Sequence, residues 1–312
     1  MSKIHTPVLA AEMLSYLVPE DDGIYLDCTF GAGGYSELIL SSCNCKIIAF
    51  DCDPAVIRIA DQFYQKYPNR FTFLNKNFAE VKKYLFKAIK FNGIVMDLGV
   101  SSMQLDEANR GFSFRYDAEL DMRMSQKGYK ASELINEASE QKLADIIYNF
   151  GEEVKAKKIA KNIVLARAKK PIVTTFQLAN IIREAVGYNN HYHKSKIDSA
   201  TKTFQAIRIF LNDELSALKT FLNQSLDLLV INGKLIVISF HALEDTIVKK
   251  FMHKNKVKKI AQSKYNINKQ IPLQNGVLQL LTKKIVIPTK TEIINNPRSR
   301  SARLRAALKI SE

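Results

Sequence analysis

The chain has few cysteines, no long apolar run and no signal-like N-terminus, and each absence narrows its class. Its four cysteines (Cys28, Cys43, Cys45 and Cys52) have spacings that fit neither a zinc module nor a C-x-x-C redox pair. We therefore expect reduced thiols and no metal. No apolar stretch reaches the roughly 18 residues of a membrane-spanning helix, and Met1–Leu9 lacks a basic segment followed by an apolar one. These absences predict a cytoplasmic protein that neither spans a membrane nor is secreted.

The positive charge is concentrated in one part of the chain. Of the net charge of +15, the segment from Lys249 to Glu312 contributes +14, with 16 Lys and Arg against two acidic residues. A one-sided basic segment is typical of a polyanion-binding protein, because its cations replace the counterions condensed on phosphates. A solvated basic surface or a membrane-surface patch would have the same composition. Charge alone therefore leaves nucleic acid as one of three interpretations.

The first hundred residues alternate strand-like with helix-like segments. Apolar runs predict strands at Ile24–Asp27, Lys46–Phe50, Phe71–Leu74 and Gly93–Leu98. Helices are predicted between them, the last over Val81–Phe86. This alternation predicts a parallel sheet with helices on both faces. In such sheets a ligand binds at the carboxyl ends of the strands, near the switch in strand order.

The rest of the chain has a different pattern. Residues 132–186 are helical in periodicity, and one long helix is expected over Thr203–Leu229. A fifth strand is predicted at Lys234–Ser239, and two short strands at Val277–Leu281 and Ser301–Leu308. The predicted fold class is therefore α/β, a Rossmann-like sheet with an inserted all-helical domain.

The predicted domains follow from this segmentation. The sheet domain is expected to comprise residues 1–105 and 205–312, and the helical insertion residues 106–204. We expect the insertion to recognise the substrate.

A glycine-rich loop follows the first strand, with the sequence Asp27-Cys28-Thr29-Phe30-Gly31-Ala32-Gly33-Gly34. Glycine lets main-chain N–H groups approach a ligand without a Cβ in the way. A nicotinamide site would require G-x-G-x-x-G, and Ser36 at the third glycine position disfavours an oxidoreductase. The acid four residues before Gly31 instead fits D-x-x-x-G-x-G, the loop used for the amino-acid part of S-adenosylmethionine.

Two further acids stand at strand ends. Asp51 is placed to accept hydrogen bonds from ribose hydroxyls, and Asp97 to meet the adenine or the methionine amino group. The alternative is a set of turn glycines and strand-terminal acids without a ligand. The loop and two acids in phase favour a cofactor site over that alternative.

Two further runs at strand ends contain more polar and glycine residues than the structure alone requires: Asp97–Asp106 and Ile238–Asp245. The second contains His241, which by itself is typical of an ordinary strand-end histidine. Its neighbours make it a candidate for the substrate site.

Taken together, the motifs resemble the bacterial ribosomal RNA small subunit methyltransferase H family over nearly the whole chain and in the right order. The runs that carry the resemblance are His5-Thr6-Pro7-Val8-Leu9, Thr29-Phe30-Gly31-Ala32-Gly33-Gly34, Asp97-Leu98-Gly99-Val100-Ser101-Ser102, Arg110-Gly111-Phe112-Ser113-Phe114, Leu120-Asp121-Met122-Arg123-Met124, Gly151-Glu152-Glu153, Thr203-Phe204-Gln205-Ala206-Ile207-Arg208-Ile209, Ser239-Phe240-His241 and Asn296-Pro297-Arg298-Ser299-Arg300-Ser301-Ala302.

The resemblance implies methylation of the exocyclic N4 of a 16S ribosomal RNA cytidine near the decoding centre, with the small ribosomal subunit as partner. It also implies S-adenosylmethionine as cofactor. The cofactor contacts that it implies are Gly33, Gly34, Tyr35, Asp51, Phe78, Asp97 and Gln104. Phe78 suits an adenine neighbour because an aromatic ring can stack on the base.

Several positions depart from the family pattern. Tyr35 replaces the usual histidine of the glycine loop, Ala242 and Thr246 replace a serine and an arginine, and Asp198-Ser199 replaces a His-Pro pair. A main-chain contact at Tyr35 would survive the change, whereas a role for an imidazole would not.

Methyl transfer to the cytosine amino group needs acceptors that favour a more pyramidal nitrogen. The Asn- or Asp-Pro-Pro-aromatic loop of many amino-methyltransferases is replaced here by Asp97-Leu98-Gly99-Val100. Asp97, the carbonyls of the loop 99–102 and, for later proton removal, His241 are the candidates.

Other functions remain open at the level of the residues. A methyltransferase acting on another RNA, DNA or a protein fits the charge, and so does a non-catalytic ribosome-assembly factor that retains the cofactor pocket. A metal enzyme is disfavoured because His191 and His193 lack matching carboxylate or cysteine ligands.

Overall fold

The computed structural model describes residues 7–85, 89–187, 198–257 and 276–312. They form two compact units: Met1–Gly99 with Ser216–Glu312, and Val100–Leu215. The units divide after Gly99 and Leu215, whereas the sequence placed the domain divisions after 105 and 204. A substrate-recognition role for the helical unit stays a prediction.

The first unit is built on a seven-stranded sheet in the order β3-β2-β1-β4-β5-β7-β6. Its strands from β1 to β5 pair in parallel, and β7 is antiparallel to both β5 and β6. The bounds are β1 Ile24–Asp27, β2 Lys46–Phe50, β3 Phe71–Leu74, β4 Phe91–Asp97, β5 Leu229–Ser239, β6 Leu278–Leu280 and β7 Arg303–Lys309.

Both faces of this sheet are buried, which explains why its strands are continuously apolar. In β1, Tyr25 packs into one hydrophobic cluster and Leu26 into another. The same alternation places Val95 and Ile236 with Tyr25, because successive side chains of a strand point to opposite faces. The α/β class expected from the apolar runs is confirmed.

Four helices accompany the first strands: α1 Ala10–Leu17, α2 Gly34–Ser42, α3 Ile57–Lys66 and α4 Val81–Tyr84. The expected helix at 81–86 is described only as far as Tyr84 and the bend at Leu85, since residues 86–88 lie outside the described residues. Asp53 caps the short 3-10 turn that leads into α3 and contains Pro54.

The second unit is made of helices around its own core. The bounds are α5 Ser102–Asp106, α6 Ala131–Glu137, α7 Glu140–Gly151, α8 Ala156–Arg167, α9 Thr175–Val186 and α10 Ala200–Leu211. Helix α9 begins with a capping box, in which the Thr174 hydroxyl accepts from the Gln177 N–H and the Gln177 side chain accepts from the Thr174 N–H. Fully buried Leu134, Ile147 and Ile163 belong to one cluster in this unit.

Three more helices follow among the described residues: α11 Glu214–Leu228, α12 Ala242–Lys254 and α13 Lys290–Asn295. The single helix expected over Thr203–Leu229 is wrong, because the chain breaks between α10 and α11. Asp213 has a φ of 49°, in the left-handed region, which no helix can continue through. The Asn212 amide donates to the Arg208 carbonyl and so helps to satisfy the end of α10. Within the described ranges, no helix is long and apolar enough to cross a membrane.

Candidate active site

The carboxyl ends of β1, β2, β4 and β5 lie along one edge of the sheet, because these strands are parallel neighbours. The chain moves outward from β1 to β3 in one direction and resumes at β4 on the other side of β1. This switch in strand order opens a crevice at the strand ends, where ligands of such sheets bind. The glycine loop after β1 is therefore at the position where a cofactor is expected.

The glycine loop turns directly into α2. Gly33 is the N-cap of that helix with a φ of 77°, and its N–H donates to the Phe30 carbonyl at 2.7 Å. A Cβ on Gly33 would lie 2.6 Å from the Phe63 ring, and one on Gly34 would lie 2.5 Å from the Pro7 ring. Both glycines are thus required by close packing. The loop also places the N-terminus of α2 at the strand edge, and a helix N-terminus favours a carboxylate.

Asp27 holds the loop in this conformation. Its carboxylate accepts hydrogen bonds from the Ser36 hydroxyl at 2.7 Å and the Thr29 N–H at 3.1 Å, and its side chain is buried. Burial raises the pKa of Asp27 to about 6. The residue therefore serves the loop itself, and the hydroxyl of Ser36 explains why this position is not a glycine.

Asp51 joins the end of β2 to the same loop. One carboxylate oxygen accepts from the Gly31 N–H at 2.7 Å and the other from the Asp53 N–H at 2.8 Å. Burial raises the pKa of Asp51 to about 6. Each carboxylate oxygen can accept a second hydrogen bond. The geometry therefore leaves room for the ribose hydroxyls that the sequence predicted as partners, and that role stays a prediction.

Asp97 ends β4 and carries a buried oxygen without a partner. Its N–H donates to the Thr29 hydroxyl at 2.7 Å, which ties β4 to the loop. Its Oδ1, however, is buried and accepts no hydrogen bond from any described residue. Burial, together with the neighbouring carboxylates of Asp27 and Glu244, raises the pKa of Asp97 well above its usual range. A buried, orphaned acceptor among other acids needs a cation or an N–H donor.

Tyr35 is committed to the interior of the first unit. Its ring is buried and its hydroxyl donates to the Val8 carbonyl at 2.6 Å. A contact with a ligand would therefore use the main chain, as expected for this departure from the family pattern. The histidine usual at this position is thus replaced by a packing residue.

Phe78 and Gln104 lie in different units. Phe78, at the start of a short 3-10 turn, is half-buried and packs edge to face on Phe221 with ring centres 5.6 Å apart. Gln104 belongs to the helical unit, where its side-chain oxygen accepts from the Ser101 N–H at 3.0 Å and completes the capping box of α5. Sequence reasoning missed this capping role, although the Ser-x-x-Gln spacing signals it. The cofactor contacts of both residues stay predictions.

His241 caps α12 in partnership with Glu244. Its Nδ1 accepts from the Glu244 N–H at 3.4 Å, so the ring proton of a neutral imidazole is on Nε2. Nε2 lies 3.0 Å from Glu244 Oε1, a distance suited to charge attraction, although the ring is not aligned for a hydrogen bond. Glu244 Oε2 accepts from the Phe240 N–H at 2.8 Å.

Glu244 is the residue that sequence reasoning missed. It is buried in the first turn of α12, just after β5, and its charge contributes to the raised pKa of Asp97. The signal was present in the sequence, since His-x-x-Glu after an apolar strand has the spacing of a capping box. The carboxyl ends of β4 and β5 also meet through a packing contact, because a Cβ on Gly99 would lie 3.7 Å from the Phe240 ring.

Within the described ranges, no group of three or more His, Cys, Asp or Glu is placed to hold a metal ion. His191 and His193 lie outside the described residues.

In the sheet, an antiparallel β7 lies between β5 and β6, and the glycine loop is followed by acids at the strand ends. This combination defines a class I methyltransferase fold. The family is shown by sequence: a model of the MraW methylase family matches residues 2–310, and the chain belongs to that family.

The relatives cover the chain from end to end. Ribosomal RNA small subunit methyltransferase H of Orientia tsutsugamushi strain Ikeda is 80% identical over 312 residues, which is 100% of both chains. The protein with the same name from strain Boryong is also 80% identical over 312 residues and 100% of both chains. That of Rickettsia typhi is 51% identical over 310 residues, covering 99% of this chain and 100% of the relative.

S-adenosylmethionine is the cofactor of this methyltransferase. The residues present fit it, since the orphaned Oδ1 of Asp97 suits a cationic amino group and the N-terminus of α2 suits a carboxylate. Asp51 carries acceptors next to the same loop.

Proposed function

We propose that the protein methylates the exocyclic N4 of a specific cytidine in the 16S RNA of the small ribosomal subunit, near the decoding centre. The observation that carries the proposal is the 80% identity, over the whole of both chains, with a protein named ribosomal RNA small subunit methyltransferase H. The acids at the strand edge support it, because methyl transfer to an amine needs hydrogen-bond acceptors beside the reacting nitrogen. A ribosomal substrate places the protein in the cytoplasm.

The cofactor, when bound, supplies an electrophilic methyl group. Gly33, Gly34, the main chain of Tyr35, Asp51 and Asp97 are the residues of the first unit that would hold it; Phe78 and Gln104 are proposed as further contacts. The cytidine must be unpaired or flipped out of any helix before its amino group can be reached.

Asp97 and His241 are the proposed catalytic residues. With Oδ1 of Asp97 assigned to the amino group of the cofactor, the other carboxylate oxygen would accept an N–H of the target amine and raise the electron density on its nitrogen. His241 would take up the proton that the amine loses. Both ring nitrogens now face Glu244, so the imidazole must turn out of the cap to reach a substrate.

The test is methyl transfer from labelled S-adenosylmethionine to small ribosomal subunits from a strain that lacks the modification, followed by nucleoside mass spectrometry. N4-methylcytidine in the 16S RNA is the expected product. Cofactor binding without label in ribosomal RNA would refute the proposed substrate, leaving another acceptor or a non-catalytic role.

A further inference from the structure

A second basic region, separate from the C-terminal tail, lies in the helical unit. Residues 154–183 contain eight Lys and Arg and no Asp or Glu. The overall charge pattern conceals this region, because acidic residues on either side balance it. Helix α8 forms its first half.

Helix α8 separates its apolar and basic residues onto opposite faces. Ala156, Ile159 and Ile163 are buried in the core of the unit. Lys157, Lys158 and Lys161 are exposed, and we call these three the α8 basic face. Residues three or four positions apart are neighbours on a helix, so Lys161 adjoins both other lysines and like charges repel. The three lysines therefore form one continuous positive surface on the exposed side of α8.

Three of the five other cations in this region are engaged within the protein, whereas Lys169 and Lys170 are exposed after the end of α8. Lys155 donates to the Val186 carbonyl at 2.7 Å, Arg167 to the Ile135 carbonyl at 2.6 Å, and Arg183 is paired with Asp198 at 2.7 Å. The three lysines of the α8 basic face, in contrast, pair with no acid of the described residues. Their charge is available to a partner.

The basic C-terminal segment, which the sequence analysis considered as a polyanion-binding site, contains cations that are bound within the protein. Arg305 forms two hydrogen bonds with Asp245, at 2.7 and 3.0 Å, and Arg303 approaches the same carboxylate at 3.7 Å. Lys309 is 2% exposed and donates to the Leu226 and Leu229 carbonyls. Arg305 and Lys309 are therefore engaged within the first unit, which makes them poor ligands for a phosphate.

We propose that the α8 basic face binds backbone phosphates of the ribosomal RNA around the target cytidine. The inference rests on the proposed function and assigns a surface that binds the RNA substrate. An anionic membrane is the competing partner for a basic helix, but membrane-bound amphipathic helices insert their apolar face. The apolar face of α8 is buried within its own unit, whereas phosphates require only the exposed cations.

The test variant replaces Lys157, Lys158 and Lys161 together by Gln. Each lost phosphate contact lowers the salt dependence of binding, expressed as log K against log salt, by about 0.7 to 0.9. Three contacts therefore lower the slope by about 2, which corresponds to on the order of 100-fold weaker binding at 0.1 M salt. A second variant with Arg at all three positions keeps the charge and should bind like the wild type.

A matched control replaces three exposed lysines outside the α8 basic face, Lys46, Lys127 and Lys219, by Gln. It has the same change in net charge, so a general loss of attraction to RNA would affect both triple variants equally. Thermal unfolding of all variants shows whether each is folded. Binding is measured with small ribosomal subunits that lack the modification and, separately, with phosphatidylcholine–phosphatidylserine vesicles.

A slope and affinity reduced only in the α8 Gln variant, and restored with Arg, is the expected result. The inference is overturned if the control variant shows the same loss of binding, or if the α8 Gln variant shows none. It is also overturned if α8-dependent binding is seen with vesicles but not with subunits, or if the wild type does not bind subunits. Methyl transfer is measured on the same samples. If α8-dependent binding is found but no methyl group is transferred, the inference stands and the proposed function fails.

Discussion

Replacing Asp97 by Asn should stabilise the protein without ligand while weakening its hold on the cofactor. The wild-type carboxylate has a buried Oδ1 without a partner in the described structure, and the charges of Asp27 and Glu244 act on it. An amide of nearly the same shape removes this charge. It also removes the anion that a cationic amino group of the cofactor would use.

The sign and the pH dependence of this stability difference follow from the raised pKa of Asp97. When folding raises the pKa of a carboxyl group by one, the folded protein with that group charged is less stable by about 1.4 kcal/mol. We therefore expect Asp97→Asn to be more stable than the wild type at pH 8, with a higher Tm. Below about pH 4 the carboxyl is protonated in both folded and unfolded chains, so the gain vanishes there and grows as pH rises through the folded pKa.

The assay is thermal unfolding at pH 5 and pH 8, with and without S-adenosylhomocysteine. Ligand at about 100 times its Kd should stabilise the wild type by about 2.7 kcal/mol. Asp97→Asn should lose most of this shift, since a charge-assisted hydrogen bond of about 1.5 to 3 kcal/mol is removed.

The matched control is Asp245→Asn, another buried acid of the same unit that is paired with Arg305 at 2.7 Å. Its loss leaves a buried cation unpaired and should cost about 3 kcal/mol, with the ligand-induced shift retained. The reasoning is refuted if Asp97→Asn is destabilising at pH 8 like the control, or if it keeps the full ligand-induced shift.

Three further changes test the site. Gly33→Ala should lower the free energy of unfolding by about 2 kcal/mol or more, because its φ is 77° and the new Cβ would lie 2.6 Å from the Phe63 ring. The control Gly128→Ala, at a φ of 83° with nothing within 4 Å of the new Cβ, should lower it by about 1 kcal/mol. Equal losses of stability for the two variants in urea unfolding would contradict this prediction. Burial raises the pKa of Asp27 to about 6, so the wild type should lose about 3 kcal/mol relative to Asp27→Asn as pH rises from 4 to 8; a pH-independent difference in urea unfolding would count against it. His241→Ala should lower single-turnover methyl transfer while calorimetry shows unchanged cofactor affinity, and lost cofactor binding would refute its catalytic assignment.

The strands around the site were predictable from local pattern. The bounds of β1, β2 and β3 agree with the apolar runs from which they were expected, because strands buried on both faces are uniformly apolar and end abruptly at polar residues. The strand-end positions of Asp51 and Asp97 follow from the same signal.

Local pattern failed where distant residues decide the outcome. The apolar stripe of Thr203–Leu229 continues through the break at Asp213, so periodicity could not separate α10 from α11. The division was settled by contacts such as the Asn212 amide with the Met122 carbonyl, 90 positions away. Periodicity contains no information about such partners.

Composition and motif order were enough to establish the α/β class, the methyltransferase family and the acids of the crevice, since these depend on residue type and spacing. Which of those acids is satisfied was decided only in three dimensions: Asp27 and Asp51 are occupied by backbone and hydroxyl donors, whereas Asp97 keeps a buried oxygen without one. The same holds for the basic residues, because burial and pairing remove some cations of the tail and leave those of α8 exposed. A charged side chain can bind a partner when the fold leaves it exposed or without an internal partner. Internal pairing depends on residues that are distant in the sequence, so the linear sequence does not reveal it.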